Sequence, residues 1–384
     1  MFISLLTVCF LALLSCNESR EPKVQMGIQP SYFGRVEPQN EWMVYSGTKA
    51  RVLFEGSCQV SFLLQDSLPE GKEDPDCVYL IIDNDTTKKQ LEPGCVKYDA
   101  IAFGEGLHCI EIVKLTEAQV GMIKVLSVMI SDQGKDFKVL PATYSKRRTI
   151  EYIGNSITCG YGNEDSTNTV GFHAIHENVM KTYGALTAAH YEADACFIAY
   201  SGRGLVRNYD GSRKNLVPDF YDRWVPDNAT KQMSVDAYLP ADLLVVNVGT
   251  NDLNSEVTTG SSLDSLEFVT RYVEFLGHLR KIHTKSPIIC TVGPMLTDAY
   301  PENARFLSRC QNYVRQAVQS VNQVGDSIVY FYNFTPQTEP FGEDYHPSIK
   351  THRQMADELI SCIDSLHVWD EKKNERFFYV KSQM

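Results

Sequence analysis

The chain has 384 residues, of which 43% are hydrophobic and 22% charged, the proportions of an ordinary globular protein and not those of a disordered, collagen-like or polytopic membrane chain. With 36 Lys and Arg against 48 Asp and Glu, the net charge is −12. No basic run exceeds Lys146-Arg147-Arg148, so neither nucleic acid nor an anionic lipid surface is expected as a partner, and an acidic enzyme acting on neutral substrates fits better.

The first predicted element is an export segment. Residues 1–15 are uncharged and nearly all apolar, a run too short to span a bilayer and of the right length for a signal peptide. It ends in Leu13-Leu14-Ser15-Cys16, followed by polar Asn17-Glu18. This stretch resembles a bacterial lipobox, which implies lipidation of Cys16, a tether over 17–27 and a location in the cell envelope, with the acyl chains as the protein's contact with the membrane. The chain has 11 cysteines. With Cys9 and Cys16 in the export segment, an odd number remains, so at least one thiol stays free. A disulfide among Cys58, Cys77, Cys95 and Cys109 is left open. No CxxC or zinc-type spacing occurs.

From 28 to 143 apolar residues alternate with polar ones. Val52, Phe54, Cys58, Val60, Phe62 and Leu64 share one face, and Arg51, Glu55, Ser57, Gln59, Ser61 and Gln65 the other. Further runs at Cys77–Asp83, Leu107–Leu115 and Met122–Ser131 are separated by turn residues, including Pro69-Glu70-Gly71-Lys72 and Pro93-Gly94. The period of two predicts an all-β sandwich or jelly-roll domain.

From 149 to 384 the pattern changes to α/β. Short apolar strands are predicted at Thr149–Ile153, Ala195–Tyr200, Leu243–Val248, Ile288–Val292 and Ser327–Tyr332. Helices are predicted at Glu177–His190, Leu263–His283, Pro301–Val324 and Ser348–Leu366. The alternation implies a parallel sheet covered by helices on both faces, with its ligand site beyond the carboxyl ends of the strands.

Four of the junctions after these strands carry chemistry. The first strand runs into Gly154-Asn155-Ser156, where glycine permits a tight turn and a hydroxyl stands at the mouth of the sheet, a nucleophile if a base removes its proton. The second is followed by Ser201-Gly202-Arg203-Gly204, whose amides could approach an anion. The third is followed by Gly249-Thr250-Asn251-Asp252, where the Asn251 amide could donate to a developing oxyanion. Just before the last helix stands Gly342-Glu343-Asp344-Tyr345-His346-Pro347. Of the nine His, only His346 joins adjacent carboxylates to a loop position. His278, His283 and His352 read as solvated helix positions. No metal is predicted, because no second His stands at ligand spacing with carboxylates.

In that order the four blocks resemble the SGNH, or GDSL-like, hydrolase family, with Ser156, Gly202, Asn251 and His346 in its four named places. A β domain ahead of such a domain, with IEYIGNSITCGYG, SGRGLVRNY and GEDYHPS, is similar to carbohydrate esterase family 2, whose members deacetylate plant polysaccharides such as xylan and glucomannan. The resemblance implies a Ser156–His346 esterase with no cofactor, acting as a monomer on an acetylated carbohydrate. Gly202 and Asn251 would form the oxyanion hole, with Gly204 as fallback for Gly202. The partner of the imidazole is Asp344, Glu343 or a backbone carbonyl, and Asp344 is preferred because residues i and i+2 of an extended segment point the same way. Tyr345, Tyr161 and Trp224 are candidates for stacking on sugar. Two other readings are an SGNH esterase acting on lipid or thioester acyl chains and a catalytically silent glycan-binding lipoprotein.

Overall fold

The computed structural model describes residues 23–68, 73–141 and 147–369. The export segment, Cys16, the turn at 69–72 and most of the predicted domain junction lie outside them.

Residues 24–140 form ten strands of one antiparallel hydrogen-bonded network. Two 19-residue strands, Lys49–Ser67 and Met122–Leu140, dominate it. Lys49–Ser67 keeps Met122–Leu140 on one side from Leu53 onward. On its other side it pairs first with Leu107–Lys114 and then with Gly94–Phe103. The change of partner falls at Gly56, whose φ of +105° an L side chain rarely adopts, and whose absent Cβ would stand 2.5 Å from the Asp136 carbonyl oxygen. The alternating residues Val52, Phe54, Cys58, Val60, Phe62 and Leu64 all face one core, as a period of two requires.

The second half is a five-stranded parallel sheet. Its strands are β1 (Thr149–Gly154), β2 (Asp194–Ala199), β3 (Leu243–Asn247), β4 (Ile288–Val292) and β5 (Val329–Asn333). Their spatial order is β2-β1-β3-β4-β5, which places the topological switch point, the usual ligand crevice of such sheets, between β1 and β3. Every residue of β1, β3 and β4 is buried, which is why these strands read as continuous apolar runs.

The helices are α1 (Ser156–Cys159), α2 (Tyr183–His190), α3 (Val217–Tyr221), α4 (Thr250–Thr259), α5 (Ser265–Ile282), α6 (Phe306–Gln323) and α7 (Ile349–Leu366). In α5, Asp264 caps the first turn by accepting the Leu266 and Glu267 amides, and Phe268, Tyr272, Phe275, Leu276 and Leu279 repeat every three or four residues on the buried face. Each large apolar side chain so buried contributes about 1.5–3 kcal/mol. No helix among the described residues is long and apolar enough to cross a membrane.

Several expectations change: α4 is a helix the pattern does not predict, and α6 begins at Phe306 and not at Pro301. Helix α2 begins at Tyr183 and not at Glu177, because Asn178 and Thr182 each accept a backbone amide and turn the chain through a separate 3₁₀ turn at Val179–Lys181. Nor are His283 and His352 solvated. Both are buried, with the Tyr221 hydroxyl 2.9 Å from His283 Nε2 and His352 Nδ1 accepting the Tyr183 amide. The nine described cysteines are all free thiols.

The β domain is built into the α/β core. Val44 and Tyr45 belong to the same buried cluster as Ile153, Val246 and Phe220, and Tyr45 Oη donates to the Phe220 and Arg223 carbonyls. At Gly47 a Cβ would lie 2.5 Å from the Phe197 ring.

Candidate active site

The chain leaves β1 through Gly154, where a Cβ would lie 2.1 Å from Thr158 Oγ1. Asn155 then caps the one-turn helix α1 by accepting the Ile157 amide. Ser156 is therefore the first residue of a helix, with its hydroxyl at the carboxyl end of the sheet, and its backbone N–H is one of those that no helical carbonyl satisfies.

The opposing segment, Phe341–Ser348, is held against the α1 turn by main-chain contacts. The Glu343 amide donates to Gly162 O at 3.2 Å, Ile349 to Asn163 O at 3.1 Å and Asp344 to Thr169 O at 3.0 Å. Gly162 (φ +54°) makes this possible, because a Cβ there would stand 2.4 Å from that of Glu343. The result brings together two side chains 190 residues apart: Ser156 Oγ lies 2.9 Å from His346 Nε2, within range for direct proton transfer.

The group behind the imidazole is a main-chain oxygen. Glu343 O accepts His346 Nδ1–H at 3.0 Å and the His346 amide at 2.9 Å. The proton is assigned to Nδ1 because a carbonyl can only accept, which leaves the Nε2 lone pair facing the Ser156 hydroxyl. This corrects the preference for Asp344. That reading assumed an extended segment, whereas Glu343–Tyr345 is a tight turn with Asp344 and Tyr345 at φ +47° and +60°. The Asp344 carboxylate is turned away and accepts the Tyr161 hydroxyl at 2.7 Å and the Gly171 amide at 3.0 Å. The Glu343 carboxylate also faces away, toward His173 and His176. Burial pushes the His346 pKa down to about 4 and so keeps the ring a neutral acceptor at physiological pH. Asp344→Asn is accordingly expected to lower kcat less than about tenfold. A carboxylate bound directly to the ring would lose about 10⁴-fold on such a change, so steady-state kinetics on any acetyl ester separates the two arrangements.

Gly202 (φ +74°) follows β2, and a Cβ there would meet nothing within 4 Å. Its carbonyl accepts the Tyr209 amide, and among the described residues its own amide has no protein acceptor. Gly204 does not serve as the fallback, because its amide donates to Asn208 Oδ1 at 3.1 Å and its Cα is pressed against Arg207 and Asp252. Asn251, on the first turn of α4, uses one N–H to hold the Arg203 carbonyl at 2.8 Å and has the other available. The neighbouring Asp252 carboxylate accepts the Leu205, Val206 and Arg207 amides at 2.9, 2.7 and 3.1 Å. The Asp252 carbonyl also accepts Arg207 Nε at 3.2 Å and Thr258 Oγ1 donates to the Tyr209 carbonyl at 2.6 Å, so helix α4 fastens the loop after β2 along its length.

A further fastening comes from the β domain. The buried Glu117 carboxylate accepts the Ser201 amide at 2.6 Å, immediately before Gly202, and Glu177 accepts the Glu117 amide at 2.9 Å. Burial raises the pKa of both acids, Glu177 the more strongly. No local pattern in the sequence marks Glu117, because its partner lies 84 residues away in the other domain. Glu117→Ala strips the acceptor from a buried amide, at a cost of about 1–3 kcal/mol. The expected result is a lower melting temperature and a lower kcat, with Glu117→Gln recovering part of both.

The aromatic candidates separate. Tyr345 is 60% exposed beside the His346 turn and can receive a ring from solvent. Tyr161 packs its ring on His346, with centroids 4.1 Å apart at 25°, and also touches Phe172, so it buttresses the base and is no free platform. Trp224 lines a separate cavity of about 160 Å³ with Gly34, Arg35, Glu151 and Leu239. The lining of that cavity includes neither Ser156 nor His346.

Comparison with known proteins gives the following. The model of the "GDSL-like Lipase/Acylhydrolase family" matches residues 152–354. The cellulase/esterase CelE of Acetivibrio thermocellus is 37% identical over 270 residues, which are 69% of this chain and 31% of CelE, so the match spans about a third of that relative. An acetylxylan esterase / glucomannan deacetylase of Cellvibrio japonicus is 28% identical over 341 residues, 85% of this chain and 88% of that protein. A family two carbohydrate esterase from Clostridium thermocellum, solved in complex with cellohexaose, matches with 30% identity and a TM-score of 0.76, covering 88% of this chain and 100% of that one.

Proposed function

The chain belongs to the GDSL-like lipase/acylhydrolase family and, within it, to carbohydrate esterase family 2, and from that premise we propose that it is a serine esterase that removes O-acetyl groups from plant polysaccharides or oligosaccharides of the xylan and glucomannan type. A carboxylic ester hydrolase acting on carbohydrate is what its relatives are named for. The serine mechanism and the acetylated plant glycan are our reading. The observation that carries it is the 2.9 Å approach of Ser156 Oγ to the unprotonated nitrogen of His346.

The steps follow from the geometry. His346 Nε2 takes the Ser156 proton as Oγ attacks the acetyl carbonyl carbon. The charge that develops on the carbonyl oxygen faces the Ser156 and Gly202 amides and the second N–H of Asn251, donors fixed before the reaction begins. The imidazolium gives its proton to the departing sugar oxygen, and the carbonyl–sugar bond breaks. Water, deprotonated by the same nitrogen, attacks the acetyl-enzyme, and collapse releases acetate and restores Ser156. The imidazolium is supported by the Glu343 carbonyl dipole, and exposed Tyr345 is the surface offered to the sugar.

Acetate release from acetylated xylan and glucomannan, beside long-chain ester controls, tests this reading. Acetate from the glycans with little turnover of long chains is expected. Long-chain preference would replace it with a lipid esterase, and tight glycan binding without acetate with a silent binding protein. We further propose an exported lipoprotein acylated at Cys16. Cys16→Ser should then move the protein from the membrane fraction to the soluble fraction.

A further inference from the structure

A group of side chains on the far side of the His346 loop matches none of the roles above. His173 and His176 begin and end a one-turn segment around the 3₁₀ turn Ala174–His176, where side chains at i and i+3 eclipse each other. Both rings therefore point the same way, toward Glu343. Glu343 Oε1 lies 2.7 Å from His173 Nδ1 and 2.6 Å from His176 Nδ1. The second carboxylate oxygen accepts the His173 amide at 3.0 Å, which aims the first at the two rings. The Glu343 side chain is 0% exposed, whereas those of His173 and His176 are 50% and 38% exposed.

A fully buried carboxylate requires a compensating positive charge. Among the described residues no Lys or Arg pairs with Glu343, and the groups its carboxylate faces are the two rings and the His173 amide. Two imidazole nitrogens and one carboxylate oxygen, all within 4.8 Å of one another, make a donor set suited to a zinc-like ion, with each donor about 2.0–2.2 Å from the metal. The exposed side of the rings leaves a fourth position open to water.

We propose that His173, His176 and Glu343 form a site for one divalent transition-metal ion of the zinc type. The ion takes the place of the two Nδ1–H···Oε1 hydrogen bonds, and each ring then carries its proton on Nε2, on the solvent side. Because the Glu343 carbonyl orients His346, an ion at the carboxylate of the same residue pins the loop that carries the base. The site is not part of the acyl-transfer steps.

The test is a direct binding measurement on the full chain after chelator treatment. Zn²⁺ is titrated calorimetrically, and Co²⁺ is followed by its visible absorption. One ion per chain is expected, with a melting temperature that rises with the logarithm of free metal. His173→Asn and His176→Asn should each weaken binding at least about tenfold, and the pair about 100-fold or more. If the double variant does not fold, the half-exposed His176→Asn protein decides. No stoichiometric binding by the wild type, or equal binding by the variants, overturns the proposal. None of these readouts uses acetate release, so the metal site and the esterase reading fail independently.

Discussion

Ser156→Ala is expected to end acetate release, with kcat falling by about 10⁵–10⁶-fold and the fold unchanged. The side chain sits at the start of a short helix whose cap is Asn155, so losing the hydroxyl removes no structural bond except that to His346. His346→Ala should fall nearly as far, and the double variant little further, because nucleophile and base act as one unit. The measurement is acetate release by the variants in long incubations, with wild-type protein diluted to the same signal as the standard. Full turnover by Ser156→Ala on acetylated glycan would exclude the covalent mechanism outright.

Asn251→Ala should cost about 10²–10³-fold in kcat with KM nearly unchanged, the signature of a donor that strengthens only as charge develops on the oxygen. The same amide also holds the Arg203 carbonyl, so part of the loss could come from a loosened loop. Asp252→Asn supplies the control. It disturbs the anchor of Leu205, Val206 and Arg207 without removing the proposed donor. A larger loss in the Asn251 variant, at comparable melting temperature, assigns the effect to the oxyanion.

The architecture was legible because both halves follow simple periods. Alternation along Val52–Leu64 requires a one-faced strand, and the unbroken apolar runs at Leu243–Val248 and Ile288–Val292 require strands buried on both sides. Helix α4 was missed. Its sequence Thr250-Asn251-Asp252-Leu253-Asn254-Ser255 is poor in helix formers, and tertiary anchoring of the Asp252 side chain prevails over that preference. In the site, Ser156, Gly202 and Asn251 were readable because each follows the carboxyl end of a parallel strand, and His346 because it joins adjacent carboxylates to a loop position before the last helix. The partner of His346 was not, because it depends on two consecutive left-handed residues, neither of them glycine. Glu117 and the His173–His176–Glu343 group were invisible for a different reason, since distant segments create them. His173 and His176 were in plain view, but their carboxylate arrives from 167 residues away.

A main-chain oxygen behind the imidazole changes what mutation can reach. Every amino acid carries a carbonyl, so no exchange of side chain at 343 deletes the acceptor; it can only be displaced, by bending the backbone that presents it. Tuning of basicity in this enzyme therefore passes through the stiffness of one turn. A directed-evolution campaign would find its rate-altering substitutions among the residues that brace that turn, at Gly162, Thr169 and Asn168, whose side-chain oxygen accepts the Tyr345 amide at 2.8 Å, sooner than at the atoms that face the ring.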